Sequence, residues 1–395
     1  MATQSPGSSI TMTAQPGSKR ASMVVCSLEP WGTVRRRIRI LVDQVVELDQ
    51  QLRVLYVAPA VDIPHELKRG HIQGVHGPRL EQVHPRITVL RPRKWLPRSI
   101  GPYADRSLER QILHAVAGLG LEAPVLWIND AAYAQFSLRT GWPTLYDITD
   151  DWLLAPMAPR QRERLVADEA LLMEHSRAVV VCSPDLARSR GGNRKVELIP
   201  NGVDVEMFRT PRARPSSLPR GPVALYVGTL HAERVDVPLI LELATARPGL
   251  QIALVGPNSL PSDVTAQLER VPNIHLLGPQ PYELVPAFLQ HADVVVIPHL
   301  VNPFTESLDP IKAYECLAAG RPTIATPVAG FRQLGPPIVV ADRSHFVEAT
   351  SAALAGSGPE GPPGAPDGAR IPSWRQRAET MASVLAQVRR QGARR

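Results

Sequence analysis

The chain has 395 residues, 44% of them apolar, and its 44 Lys and Arg against 37 Asp and Glu leave a formal net charge of +7. That length suits two domains with real cores, and three widely spaced cysteines (Cys26, Cys182, Cys316) without a Cys or His at metal-ligand spacing exclude a disulfide framework and a structural zinc. The longest apolar runs, such as Val294–Ile297, are strand-sized and far short of the ~18–20 residues of a membrane span. The expectation is a cytoplasmic protein.

The first 22 residues are rich in Ser, Thr, Gly and Pro, lack the apolar region of a secretory leader, and read as a disordered tail. From there short β-branched runs alternate with amphipathic stretches. Met23–Ser27, Arg53–Val57, Ile87–Leu90, Val125–Ile128, Thr144–Asp147 and Ala178–Cys182 read as buried strands, making residues 23–207 a doubly wound α/β domain. Residues 208–221, a Pro/Arg/Ser stretch without periodicity, read as a linker. Strands at Val223–Val227, Gln251–Val255, Ile274–Leu276, Asp293–Ile297, Thr323–Ala325 and Ile338–Val340 then make residues 222–355 a second such domain. A Gly/Pro-rich break at 356–372 precedes a final amphipathic helix, about Ser373–Arg389, within 373–395. Two tandem Rossmann-like domains leave a cleft between them, where open α/β sheets bind ligands beyond the carboxyl ends of their strands.

Basic residues gather at Arg35–Arg39 and between Arg86 and Arg98. They suit either a solvated surface or a face that meets anionic lipid headgroups or a polyanionic acceptor, giving a peripheral contact at the inner membrane face. Nucleic acid is not expected, because no aromatic residues interleave with these clusters and no recognition motif accompanies them.

The segment Ser307–Thr326 carries the chemistry. Asp309 and Pro310 read as an N-cap and first-turn pair, and Gly320 and Pro322 as the stop, so a helix is expected over about Pro310–Ala319. Its free amides and positive dipole end, with Pro310, Ile311 and Lys312 in the first turn, suit a diphosphate. Glu315, about a turn further on, could accept both hydroxyls of a ribose. An ordinary capped helix that packs Ile311, Tyr314 and Leu317 inward would carry the same residues, and spacing alone leaves both readings open.

The sequence DPIKAYECLAAGRPTIAT resembles the signature of retaining GT-B glycosyltransferases of the family 4 type, and its Pro-x-Lys-x-x-Glu form is similar to a teichuronic-acid or polysaccharide-biosynthesis subgroup. Glu315 matches the second Glu of that signature; the first falls on Ser307, with Glu306 or Asp309 as substitutes. The resemblance covers about residues 23–390. Leu198–Asp204 resembles the family's turn at the cleft, and Tyr226-Val227-Gly228-Thr229 its first strand and glycine turn, with His231 and Arg234 as the nearest phosphate-gripping residues. Asn273–Gly278 followed by Tyr282, Leu284 and Phe288 resembles the segment that reads the base, although a core strand and helix would look the same.

In the first domain Asp147, Asp150 and Asp151 follow a strand end, and three neighbouring acids repel unless they bind something. Acceptor binding by Asp150 and Asp151 competes with simple helix capping. Trp31-Gly32-Thr33, with Arg35 and Arg36, follows the first strand, where the loop of this fold approaches donor phosphates.

The resemblance implies transfer of a sugar from a nucleotide-diphosphate donor to a glycan, lipid-linked or small-molecule acceptor, with retention. Lys312 would serve the diphosphate, Glu315 the ribose, and Asp150 or Asp151 the acceptor; Gly228, Thr229, Arg234, Tyr282, Ser307 and Asp309 complete the donor site. No Asp-x-Asp pair stands where a metal would need it, so neither metal nor other cofactor is expected. Two alternatives remain on the same architecture, a sugar-nucleotide epimerase without an acceptor groove and a degenerate binding or scaffold subunit.

Overall fold

The computed structural model describes residues 21–32, 34–68, 77, 79–96, 102–332, 334–356 and 371–392. Its first sheet contains β1 (Ser22–Cys26), β2 (Arg53–Val57), β3 (Leu80–His84), β4 (Ile87–Leu90), β5 (Val125–Ile128), β6 (Thr144–Ile148), β7 (Ala178–Val181) and β8 (Glu197–Leu198). Their order is β8-β7-β6-β5-β1-β2-β4-β3. All neighbours are parallel except β3, which runs antiparallel to β4 at the edge. Helices cover both faces, so every residue of β1, β5 and β6 is buried, which is why these strands are mostly apolar and do not alternate polar with apolar.

The second sheet comprises β9 (Val223–Val227), β10 (Gln251–Val255), β11 (Ile274–Gly278), β12 (Val294–Ile297), β13 (Thr323–Ala325) and β14 (Ile338–Val340) in the order β11-β10-β9-β12-β13-β14, parallel throughout. Strand order reverses beside β1 in one sheet and beside β9 in the other. Crevices at such switch points are where this architecture holds ligands.

Several elements differ from the sequence reading. β3 was not expected: Glu81, Gln82 and His84 lie half in water on an edge strand, so no apolar run announces it. Phe208, assigned to the linker, belongs to a helix at Val205–Arg209 and is wholly buried in the second core. The final helix, Trp374–Gly392, returns to the first domain and packs on the helix Arg37–Leu48. Its Trp374, Ala378, Met381, Leu385 and Val388 form the inward stripe that helical spacing dictates. At ~1.5–3 kcal/mol per large apolar side chain, that stripe contributes on the order of 10 kcal/mol at most. The expected tail lies almost wholly outside the described residues, as does most of the 356–372 break.

A polar knot ties the domains together beside the cleft. Asn201, in the turn after β8, donates its backbone N–H to Asp309 Oδ2 and its side-chain amide to the Asp309 carbonyl, both at 2.5 Å. Its Oδ1 accepts from Arg37 at 3.1 Å, and its carbonyl accepts from Arg377 of the last helix at 3.3 Å. Arg37 is itself buried, 3.6 Å from the wholly buried Asp147, with two guanidinium nitrogens lacking any hydrogen bond. Next door Gly202 lies against the Ser373 backbone, where a Cβ would meet the Ser373 carbonyl carbon at 2.8 Å. The knot predicts that Asn201→Ala, which orphans more of Arg37, lowers stability in urea unfolding by about 2–4 kcal/mol; a change within 0.5 kcal/mol would show that the domains do not depend on it.

Candidate functional site

The second domain supplies a wall made of strand ends. β9 stops at Gly228 (φ +147°) and β10 at Gly256 (φ +144°), conformations that side-chain-bearing residues rarely adopt. A Cβ on Gly256 would collide with the Gly228 carbonyl, so these two turns can nest only as glycines. A Cβ on Gly228 would occupy the space of Lys312 Cε and Nζ. The lysine therefore lies directly across the turn, its ammonium 5.5 Å above the Tyr226 ring.

Lys312 stands in the first turn of the helix Ile311–Ala319, which ends on Gly320 in the left-handed region. Pro310 occupies the cap position and no side chain caps the helix. Asp309 is thus not the expected N-cap; its carboxylate accepts instead from Asn201 across the domain boundary and from the Tyr314 hydroxyl at 2.7 Å. The Ala313 N–H is taken by the Pro310 carbonyl at 3.0 Å, which leaves the Ile311 and Lys312 amides of the first turn for an anion site. Burial, reinforced by Arg234, lowers Lys312 to about 8.

Glu315, three residues along the same helix, is 6% exposed and pushed up to about 7 by burial, with Lys312 opposing that rise. The Tyr282 hydroxyl stands beside it without a hydrogen bond of normal geometry, so both have capacity for a hydroxylated ligand. Tyr282 is fixed edge-to-face on Phe208, ring centres 6.1 Å apart, which gives that misassigned phenylalanine a part in the site.

The first domain closes over this wall. Arg36 donates to Thr229 Oγ1 at 3.4 Å, Arg35 pairs with Glu283 at 2.9 Å, and Arg234 reaches Asp150 at 3.3 Å while lying over the Phe304 ring. Arg36, Arg234 and Lys312 thus converge from two domains, together with His231, whose pKa is lowered by burial and Arg234. Glu29, which the sequence reading did not single out, follows β1 and accepts from the Ile38 N–H at 3.2 Å in the first helical turn. Burial raises it to about 7 despite Arg36. An acid three residues after a buried strand was its signal.

Not all predicted residues face this space freely. Ser307 is buried and its hydroxyl donates to the Phe304 carbonyl at 2.7 Å; Glu306 pairs with Arg332. Ile311 packs on the first-domain core. Asp151 accepts from Arg190 through both oxygens, each at 2.7 Å, and Asp147 is compensated by Arg37 and the Trp127 indole. The three acids that seemed to demand a ligand are answered by arginines distant in sequence; among them Asp150 keeps its partner within the cleft itself. Thr33 lies outside the described residues. Among the described residues no three His, Cys, Asp or Glu side chains gather as a metal-ligand cluster, and no helix is long and apolar enough to cross a membrane.

Residues 221–355 match the family model described as glycosyl transferases group 1. Over 343 residues the chain is 24% identical to the putative teichuronic acid biosynthesis glycosyltransferase TuaH of Bacillus subtilis (strain 168), covering 80% of this chain and 83% of that one. It is 27% identical over 204 residues to a D-inositol 3-phosphate glycosyltransferase of Segniliparus rotundus, covering 47% and 43%. In three dimensions it is similar to Anabaena HepE in complex with UDP-glucose, with a TM-score of 0.57 at 14% identity over 94% of this chain and 98% of that one. The fold is GT-B.

The close fit of Lys312 over Gly228 can be measured as a coupling. Gly228→Ala should cost about 1–3 kcal/mol of stability through backbone strain and displacement of the lysine, and Lys312→Ala in that background should recover at least ~0.5 kcal/mol of it. Strict additivity would mean that the lysine does not lie over the turn.

Proposed function

We infer that this chain, a glycosyltransferase of GT-B fold, moves a sugar from a uridine-diphosphate donor to a glycan, lipid-linked or small-molecule acceptor with retention at the anomeric carbon. The observation that carries the reading is the half-buried Lys312 lying on the Gly228 turn at an uncapped helix start, three residues before the buried Glu315. A diphosphate at that turn would meet the lysine, the free amides and Arg36 and Arg234. The ribose would then reach Glu315 and Tyr282. Uridine is chosen because the similarly folded HepE binds UDP-glucose.

The difficult step is departure of the diphosphate, on which negative charge grows as the glycosidic bond breaks. Cations and amides fixed in advance stabilise that charge without reorganising at the moment of reaction. Attack by the acceptor hydroxyl on the same face then needs only positioning, with the leaving phosphate available to take its proton. Asp150 would orient the acceptor after exchanging Arg234 for it, and Arg234 would be freed toward the diphosphate. Asp151, clamped by Arg190, would hold that loop in place and act as a positioning residue. The reading needs no metal, since the three cations supply the charge.

Thermal stability with UDP, GDP, dTDP and ADP, on wild type and Glu315→Ala, is the test. A true ligand at ~100 times its dissociation constant adds about 2.7 kcal/mol. UDP should stabilise the wild type most and the variant markedly less; stabilisation by none of the four would overturn the donor reading.

A further inference from the structure

Among the described residues, the three large apolar side chains most open to solvent are Tyr103 (62%), Trp95 (60%) and Leu67 (55%). All three belong to one corner of the first domain. A short parallel ribbon, Val61–Asp62 beside Arg93–Lys94, fixes that corner, tied by a Lys94–Asp62 ion pair at 2.6 Å. Leu67 lies on the helix Ile63–Lys68 that leaves one strand of the ribbon, and Trp95 directly follows the other. Tyr103 opens the helix Tyr103–Gly118, whose Gln111 side chain hydrogen-bonds both the N–H and the carbonyl of Arg93.

That helix sorts its charges by sign. Its outward stripe is Tyr103, Arg106, Arg110, Leu113 and His114, all exposed. Its two acids turn inward, Asp105 to Arg164 at 2.6 Å and Glu109, which is buried, to Arg139 at 2.9 Å. On this stripe the solvent meets cations and apolar side chains; elsewhere in the corner Asp62 is paired with Lys94, and Glu66, half-buried, precedes Leu67. Arg93 and Arg110 hydrogen-bond the backbone carbonyls of Gly77 and Arg106, contacts that leave their charge uncancelled.

We propose that this corner, Leu67, Trp95, Tyr103 and Leu113 with Arg106 and Arg110, docks on an anionic lipid surface. Trp and Tyr are the side chains suited to a headgroup boundary, one end apolar and the other wet, and the flanking arginines supply attraction to anionic headgroups. A protein partner would ordinarily demand a less charged centre to the patch. The corner projects from the carboxyl ends of β2 and β4, the same sheet edge that carries Glu29 and Asp150, so docking turns the cleft toward the bilayer. Docking itself does not depend on the transfer reading; only its consequence, presentation of a lipid-linked acceptor to the cleft, rests on it.

The test sediments the full chain with vesicles of phosphatidylcholine alone or with about 30% phosphatidylglycerol. Binding should require the anionic lipid. Arg106→Gln/Arg110→Gln should weaken it about 30-fold, about fivefold for each charge removed. Leu67→Ser/Trp95→Ser/Tyr103→Ser should weaken it at least ~10-fold, including at high salt where the charge attraction is screened. Both variants should melt as the wild type does, since these side chains are exposed. Equal binding to neutral and anionic vesicles, or none to either, overturns the proposal. So does an apolar triple variant that binds like the wild type, which would make the face a site for soluble polyanions. Lipid-free self-association that the triple variant abolishes would instead make it an interface between copies.

Discussion

Two rigid α/β domains can share a site only if something fixes one against the other, and here that constraint is the bonding of Asn201 to Asp309. One asparagine satisfies a backbone carbonyl and a carboxylate of the second domain, a buried arginine of the first, and an arginine of the returning helix. Because Asp309 directly precedes Pro310, the bond that joins the domains also sets where the Ile311–Ala319 helix begins. The position of Lys312 over Gly228 follows from that start. A small apolar contact of Ala155 with Phe304 and Leu308 supports the junction, but its directionality comes from the hydrogen bonds.

The site built on this frame is electrostatically tense. Half-buried Lys312 and buried Glu315 share one helix face, each displaced toward its neutral form by desolvation and each drawn back by the other. Arg234 and Asp150 form an ion pair across the cleft with more access to water. Such pairs cost stability compared with apolar packing and are tolerated where a ligand is to replace one member. A nucleoside diphosphate does so: its phosphates relieve the excess of cations, and its ribose hydroxyls satisfy the carboxylate.

Most of the fold was legible because parallel strands buried on both faces must be continuous apolar runs. All twelve expected strands exist, with ends moved by two residues at most. What escaped lacked that signature: the edge strand Leu80–His84 is half polar, and β8 is two residues long. The cluster of Gly228, Thr229, Arg234, Tyr282, Lys312 and Glu315 was legible through helix-start chemistry and resemblance. The partners of its acids were not, because Asp147, Asp150 and Asp151 find Arg37, Arg234 and Arg190 through tertiary contacts that no local pattern encodes. Asp309 misled for a related reason, since Asp-Pro is a true helix-start signal whose carboxylate was claimed by a stronger partner in the other domain.

The central claim, that Lys312 is the counterion of a bound diphosphate, is tested most directly by the protons taken up when UDP binds at about pH 8.5, from calorimetry in buffers of different ionisation heat. Burial and Arg234 hold Lys312 down to about 8, so in the free protein it has lost part of its proton at that pH, while Glu315, pushed up to about 7, is largely ionised. UDP is likewise fully ionised there, a phosphate's second pKa being about 6. A diphosphate on the lysine raises its pKa, so binding should take up roughly half a proton or more. Lys312→Met should abolish that uptake. Firm binding of UDP with no proton uptake would contradict the account and put the diphosphate elsewhere.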